Sequence, residues 1–485
     1  MEGDQRAGVV VVGGGITGLT TALLLAGQGV DVVVVEALDI AAGVTGRTTA
    51  KVTSQHSMLY STIASKHGEE AARVYGEANQ TAVEYVVRLV QDGDIDCSLE
   101  RRPAFVYTLD EDTVAKIEEE AELCRRLGLP SSFTSSVGDD LPYDIRGAMR
   151  FDDQIQLQPV AYCDGLAGMV VAAGGRIFEQ TRVTDVNTGT PVSVETERGT
   201  ITADAVVLAT HIPIVDRGLF AAKADPHASH AVALETDGAL PQGMYITADT
   251  PSRSVRSFMH DDRSYLVVVG EGHRTGEEDA EAHEQALVDW AAQHWPNARV
   301  AYTWMAEDYN PMDAIPYIGR LASADSDVFV ATGFQKWGLS NGTAAAMILS
   351  ETVLGRDHPW ADVFDARRIT PIASAKSFVK HNVKAVGHMV GDRFSERSED
   401  VAQLQPGDGA VLSIDGHDYA VSKDAGGRVT ALSPKCTHMG CLVAYNGAER
   451  SWDCPCHGSR FAADGSVIHG PATTPLEPQD LPAPE

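Results

Sequence analysis

The stretch VVVVGGGITGLTTALLLAGQGVDVVVVE, residues 9–36, decides the fold of this chain. Val9 to Val12 is a β-branched run without polar alternation, the pattern of a strand buried on both faces in a parallel sheet. Gly13-Gly14-Gly15-Ile16-Thr17-Gly18 leads into an apolar helix through Leu19 and Leu25, which Gly27-Gln28-Gly29 ends. A second strand, Val30 to Val35, closes on Glu36, 18 positions after Gly18. This strand–turn–helix–strand unit is the one that holds a dinucleotide. Gly13 permits the tight turn, Gly15 lets a pyrophosphate approach the backbone, and Gly18 lets helix and strand pack closely. The helix N-terminus offers N–H groups and partial positive charge to phosphates, and Glu36 is placed to accept hydrogen bonds from ribose hydroxyls.

That unit does not separate FAD from NAD, but later residues do. Gly43-Val44-Thr45-Gly46-Arg47-Thr48-Thr49-Ala50 resembles a segment of the D-amino-acid-oxidase-like flavoproteins, the family of glycine oxidase and sarcosine oxidase. There it wraps the pyrophosphate and ribityl chain. Gly175 to Val183 is similar to the family's strand whose valine backbone holds the adenine, and Ala203 to Pro213 to its second flavin motif. Asp313 to Gly319, followed by Val328 to Gly342, resembles its last flavin element, a glycine-bounded turn opening a small-residue helix from Thr343 to Leu349. The resemblance spans residues 7–365 in order and implies bound FAD. It assigns the cofactor to Gly13, Gly15, Ile16, Thr17, Gly18, Glu36, Ala37, Gly46, Arg47, Val183, Thr210, Gly333 and Gly338. Some family members bond the flavin through a cysteine before this last element. Met305 to Asn310 contains none, so non-covalent FAD is expected.

From Arg393 the composition changes to short alternating segments: Ala410 to Ile414, Tyr419 to Ser422 and Val429 to Leu432, bounded by Asp415-Gly416 and Gly426-Gly427. These predict a small all-β module. It carries CTHMGC, residues 436–441, and, twelve residues later, CPCHGS, residues 454–459. Cys436, His438, Cys454 and His457 offer two thiolates and two imidazoles, the donor set of a Rieske-type [2Fe–2S] cluster. Zinc accepts the same donors, but the spacing is the Rieske pattern and not that of a finger. The module resembles the Rieske proteins of the cytochrome bc1 and b6f kind. That resemblance implies a disulfide between Cys441 and Cys456, although a reducing compartment argues against one. Ser459 matches the serine whose hydroxyl bonds a cluster sulfide, while Phe461 stands where a tyrosine is expected, which implies a potential below that of the respiratory proteins. Gly470-Pro471-Ala472 resembles the loop that covers the cluster's other side. Cys97, Cys124 and Cys163 are scattered and read as ordinary buried thiols.

The chain of 485 residues exceeds one typical domain. The expected architecture is an α/β (α+β) FAD-binding domain of Rossmann type over 1–96, 150–219 and 300–365, with a substrate domain inserted at 97–149 and 220–299. A helix and linker are expected over 366–395, and an all-β Rieske domain over 396–485. This order looks like a family of bacterial flavin–Rieske fusion proteins. A net charge of −30 argues against nucleic acid and anionic membranes, and suits either general solubility or a basic redox partner. No stretch approaches about 18 uninterrupted apolar residues, and Met1 to Ala7 lacks a basic n-region. The expectation is a cytoplasmic protein.

FAD takes two electrons as a hydride, and a cluster passes one at a time. The resemblance therefore implies an enzyme oxidising a small amine, amino acid or hydroxy acid, with electrons passed singly to the cluster and on to an acceptor protein or quinone. The alternatives are an electron-transfer protein serving a partner enzyme, or a redox sensor. Arg47, Lys51, His56, His211, Tyr309, Lys336 and Trp337 are candidates to face the flavin. Lys336, Arg47 and His56 are the catalytic candidates, with Lys336 as a cation for the reduced ring or else a solvated loop lysine.

Overall fold

A computed structural model describes residues 1–215, 218–277, 279–321, 327–368 and 401–482. Strand Gln5–Val12 lies in the middle of an eight-stranded sheet, between Gly199–Leu208 and Val32–Val35, parallel to both. Val328–Thr332 and Arg176–Phe178 extend the parallel set on either side. The valines of the two opening strands are almost fully buried, as their unbroken apolar runs predict. Helix Ile16–Ala26 packs beside helix Gly338–Val353. The approach is close because Gly342 has no side chain: a Cβ there would stand 2.5 Å from Thr17 Oγ1.

A nine-stranded mixed sheet forms the second layer. Its order runs Arg299–Pro311, Ala224–Glu235, Arg263–Arg274, Ser254–His260, Met244–Thr247, Glu100–Thr108, Gly147–Gln156 and Lys51–Val52, with Ser131–Thr134 paired to Gly147–Gln156. Alternation assigns the two faces. Val232, Leu234, Leu266 and Val268 pack under helix Ala280–His294 with Leu287 and Ala291. Ser229, Ala231 and Val269 face the opposite way and line a cavity shared with the first sheet.

This second sheet takes in Gly147–Gln156 and Arg299–Pro311, beyond the insert bounds expected from sequence, because a strand joins whichever edge offers partners. Helix Ala280–His294 starts where the Asp279 side chain accepts a hydrogen bond from the Ala282 N–H.

The C-terminal region is all-β. Gly409–Ile414, His417–Lys423 and Val429–Leu432 form a three-stranded antiparallel sheet. Ala444–Asn446, Ser451–Asp453, Arg460–Ala462 and Val467–His469 form a four-stranded one. Trp452 and Phe461 fill the core between the cysteine loops. The helix and linker expected over 366–395 lie, after residue 368, outside the described residues. Among the described residues no helix is long and apolar enough to cross a membrane.

Candidate functional site

One elongated cavity follows the first glycine turn and continues between the two large sheets. Of the residues expected at the cofactor, Gly13, Gly15, Ile16, Thr17, Glu36, Ala37, Arg47, Val183, Thr210 and Gly338 line it. Gly18, Gly46 and Gly333 stand behind this lining, where they shape the turns. Helix Ile16–Ala26 starts at Gly15 without a side-chain cap from that residue; the Ile16 N–H donates to Thr45 Oγ1 at 3.3 Å, and the N–H groups of Thr17 and Gly18 are left for a ligand. A Cβ on Gly15 would come within 2.9 Å of Thr45 Oγ1 and narrow the cradle. The Glu36 carboxylate accepts from the N–H groups of Gly14 at 2.6 Å and Leu38 at 2.9 Å, which fixes it at the end of the second strand. Backbone donors, an anchored carboxylate and an apolar slot reaching Val183 fit the diphosphate, ribose and adenine of FAD.

Between the sheets, the polar lining centres on Asp308. Its carboxylate accepts from the N–H groups of Tyr309 at 2.7 Å and of Lys336, and lies 2.9 Å from His211 Nε2. Lys336 lines the cavity and donates from Nζ to Ser229 Oγ at 2.8 Å. Burial lowers its pKa, and Asp308 opposes that shift. Arg47 also lines the cavity, but its guanidinium is held by Glu449 of the C-terminal module at 2.6 Å.

His56 is placed differently from expectation. It does not line the cavity; its ring stacks on Trp337 at 4.7 Å, with Nδ1 2.6 Å from Tyr75 Oη and Nε2 within 3.0 Å of Thr53 O and Ser340 Oγ. This imidazole ties residues 53–56 to the start of helix Gly338–Val353 and is a positioning group. Burial pushes it down to about 3 from an ordinary 6.5, so it folds neutral. The unfolded chain then takes up a proton that the folded chain refuses, and stability falls as pH drops below about 6.5. By pH 5 this one group costs about 2 kcal/mol. His56→Gln is expected to flatten the acid limb of thermal melts of the cofactor-loaded protein between pH 7 and pH 5; an unchanged slope counts against this reading.

In the C-terminal module the two cysteine–histidine loops face each other. Cys436 and Cys454 are buried and share a hydrogen bond between their sulfurs, which holds the Cys436 thiol below its usual range. The His438 and His457 rings lie edge to face with centroids 5.1 Å apart. Cys441 and Cys456 form a disulfide that ties the loops together, with Cα atoms 6.5 Å apart. The Cys454 sulfur lies within 4.8 Å of both disulfide sulfurs. Ser459 Oγ accepts from the Ala472 N–H at 3.1 Å and also hydrogen-bonds Cys436. Two converging thiols and two imidazoles on braced loops fit a [2Fe–2S] cluster. The disulfide closes a separation of 15 residues, so Cys456→Ser is expected to destabilise the module by about 3 kcal/mol. Denaturant unfolding followed through the cluster's visible absorption measures it.

The module packs directly on the cavity. Ile468, His469, Gly470, Ala472 and Thr473 form part of the lining. Tyr309 Oη donates to the backbone oxygens of His457 at 3.2 Å and Gly470 at 3.4 Å. His211 Nδ1 and His469 Nε2 share a hydrogen bond of 3.2 Å. Asp308, Glu307, Glu449 and His469 were not singled out from sequence. Asp308 and Glu307 precede Tyr309 on one strand, and no spacing marks them; Glu449 and His469 act only through docking.

A family described as FAD dependent oxidoreductase matches residues 8–352. The chain belongs to that family. This FAD-dependent oxidoreductase also carries a Rieske [2Fe-2S] domain, matched over residues 397–480. It is 33% identical over 484 residues to a putative Rieske 2Fe-2S iron-sulfur protein, YhfW, of Bacillus subtilis strain 168, covering 99% of this chain and 95% of that one. It is 25% identical to the gamma-glutamylputrescine oxidoreductase of Escherichia coli K12, across 74% of this chain and 85% of the relative. In fold, the oxidoreductase is similar to glycine oxidase from Geobacillus kaustophilus, with a TM-score of 0.63 at 18% identity, covering 75% of this chain and 100% of that structure. Its cofactors are FAD and a [2Fe–2S] cluster.

Proposed function

We propose that the chain oxidises a small amine, amino acid or hydroxy acid at its flavin site and passes the electrons singly through its own Rieske domain. The observation that carries this is the shared cavity wall: Gly13, Gly15, Thr17, Lys336 and Gly338 on one side, and Ile468, His469, Gly470 and Ala472 of the Rieske domain on another. Bound FAD supplies the hydride acceptor, and the cluster supplies a one-electron carrier. In this reading the residues expected from sequence at the cofactor hold FAD, and Cys436, His438, Cys454 and His457 hold the cluster. Lys336, fixed by Ser229, places its ammonium group in the wall beside the helix N-terminus at Gly338. Arg47 bridges to Glu449 and keeps the domains in register. The name of the E. coli relative supports the amine end of the substrate range. His457 is turned inward at 8% exposure, whereas His438 is half-buried and Met439 beside it is 52% exposed. An acceptor protein or quinone therefore meets the cluster from the His438 side.

Anaerobic addition of amines, amino acids and hydroxy acids tests the reading. A substrate is expected to bleach the flavin and cluster bands together. Bleaching of flavin alone overturns the route through the Rieske domain.

A further inference from the structure

The Rieske domain meets the first domain on segments that hold FAD. Arg47 pairs with Glu449 at 2.6 Å, and the other Glu449 oxygen accepts from the Met305 N–H at 2.8 Å. Arg182, one residue before Val183 of the adenine strand, donates from Nη2 to the Val467 carbonyl at 2.9 Å. His211 follows Thr210 of the second flavin motif, and its Nδ1 shares a hydrogen bond of 3.2 Å with His469 Nε2. Gly470 then lies over Ile212 and Ile214, where a Cβ would stand 3.9 and 3.6 Å from their Cγ2 atoms. These ties follow the cavity from its dinucleotide end, at Glu36 and Arg182, to the polar cluster around Asp308.

Two features make this contact a closure. Between the ties, Ile468, His469, Gly470 and Ala472 complete the cavity wall. The ties also sit on one braced unit. Strand Val467–His469 pairs with Arg460–Ala462, and Ser459 beside it accepts from the Ala472 N–H at 3.1 Å. Arg47 and Arg182 add charge-assisted hydrogen bonds, the stronger kind. Such a unit moves as a whole: the wall opens at Ile468 only when the bonds at Val467 and His469 give way together. The cradle at Gly13, Gly15 and Thr17 and the anchored Glu36 lie entirely in the first domain. The Rieske domain therefore adds enclosure more than affinity.

We infer that the Rieske domain is the gate of the FAD site. Strand Val467–His469 and the turn through Gly470 to Ala472 close over the cofactor, which enters and leaves only when this domain lifts away. The gated ligand is a flavin dinucleotide, and the inference holds whatever compound the flavin oxidises. A gate raises the barrier to entry and exit alike, so it slows exchange while leaving occupancy nearly unchanged. It also orders assembly, with FAD seated before docking is complete.

The test reads exchange of bound FAD in the full chain loaded with FAD and cluster. A Cβ on Gly447 would stand 3.0 Å from Glu281 Cγ, a spacing that a disulfide bridges. Glu281 lies on helix Ala280–His294, and neither position lines the cavity. The oxidised double variant, Glu281→Cys with Gly447→Cys, thus holds the Rieske domain shut. Bound FAD is challenged with excess radiolabelled FAD and counted after rapid gel filtration, with the thiol-alkylated form of the same variant as reference. Stapling is expected to slow release at least about 10-fold, and to slow FAD uptake by the FAD-stripped chain to the same extent. Release at an unchanged rate overturns the gate. So does slow release with unchanged uptake, the mark of added contacts alone. Glu449→Gln needs no staple: it keeps an oxygen for the Met305 N–H but loses the ion pair to Arg47. It is expected to speed exchange about 10-fold in both directions at unchanged iron content. Exchange no faster than in the unaltered chain overturns the gate as well.

Discussion

Replacing Gly458 by alanine is expected to leave FAD bound and to slow reduction of the cluster by substrate by an order of magnitude or more. Gly458 follows His457 with φ +78°, in the left-handed region. A Cβ there would stand 2.4 Å from Glu307 Oε1, 2.7 Å from Tyr309 Oη and 2.8 Å from Pro226 Cβ. The left-handed conformation costs an alanine about 1–2 kcal/mol, and overpacking adds about 1–3 kcal/mol. Relief comes by moving the loop away from the strand that carries Glu307 and Tyr309. That movement stretches the hydrogen bond from Tyr309 Oη to the His457 oxygen and opens the cavity wall at Gly470. Rapid mixing with substrate, following the flavin and cluster bands separately, reads the effect, with iron analysis to establish cluster content. Unchanged cluster reduction at full iron content contradicts the docking described here.

Gly18→Ala is expected to reduce bound FAD to about a tenth or less and to destabilise the chain by at least about 3 kcal/mol, the upper range of overpacking costs. The added Cβ would lie 2.0 Å from the Gly13 carbonyl oxygen and 3.3 Å from Val11 Cγ1. The oxygen cannot swing aside, because Gly13 itself, at φ +111°, is pressed against Ala209: a Cβ on Gly13 would meet the Ala209 oxygen at 2.5 Å. The helix must therefore shift away from the opening strand, taking with it the first-turn N–H groups that face the cavity. FAD content by absorption after gel filtration, together with thermal melting, measures both effects. Retention of stoichiometric FAD contradicts the assignment of the turn.

Legibility in the sequence followed the range of the interactions. The glycine turn, the first helix and the two flanking valine strands are encoded within residues 9–36, and the structure forms them with small changes at the ends. The loops bearing Cys436 and Cys454 were legible for the same reason: four donors and two further cysteines sit within two short segments. The Cys441–Cys456 disulfide implied by the Rieske resemblance is formed. His56 was misplaced because a histidine beside a flavin motif looks the same whether it faces the cavity or stands behind Trp337.

The chain's order of local units determined by itself that a dinucleotide fold precedes a cluster module, since each unit is specified by neighbours a few residues apart. Only the tertiary structure decided how they meet. Arg47 and Glu449 are 402 positions apart, and Tyr309 reaches His457 across 148. Pairings at that separation leave no period or spacing in the sequence; they arise because two sheets and a docked module bury surface against each other.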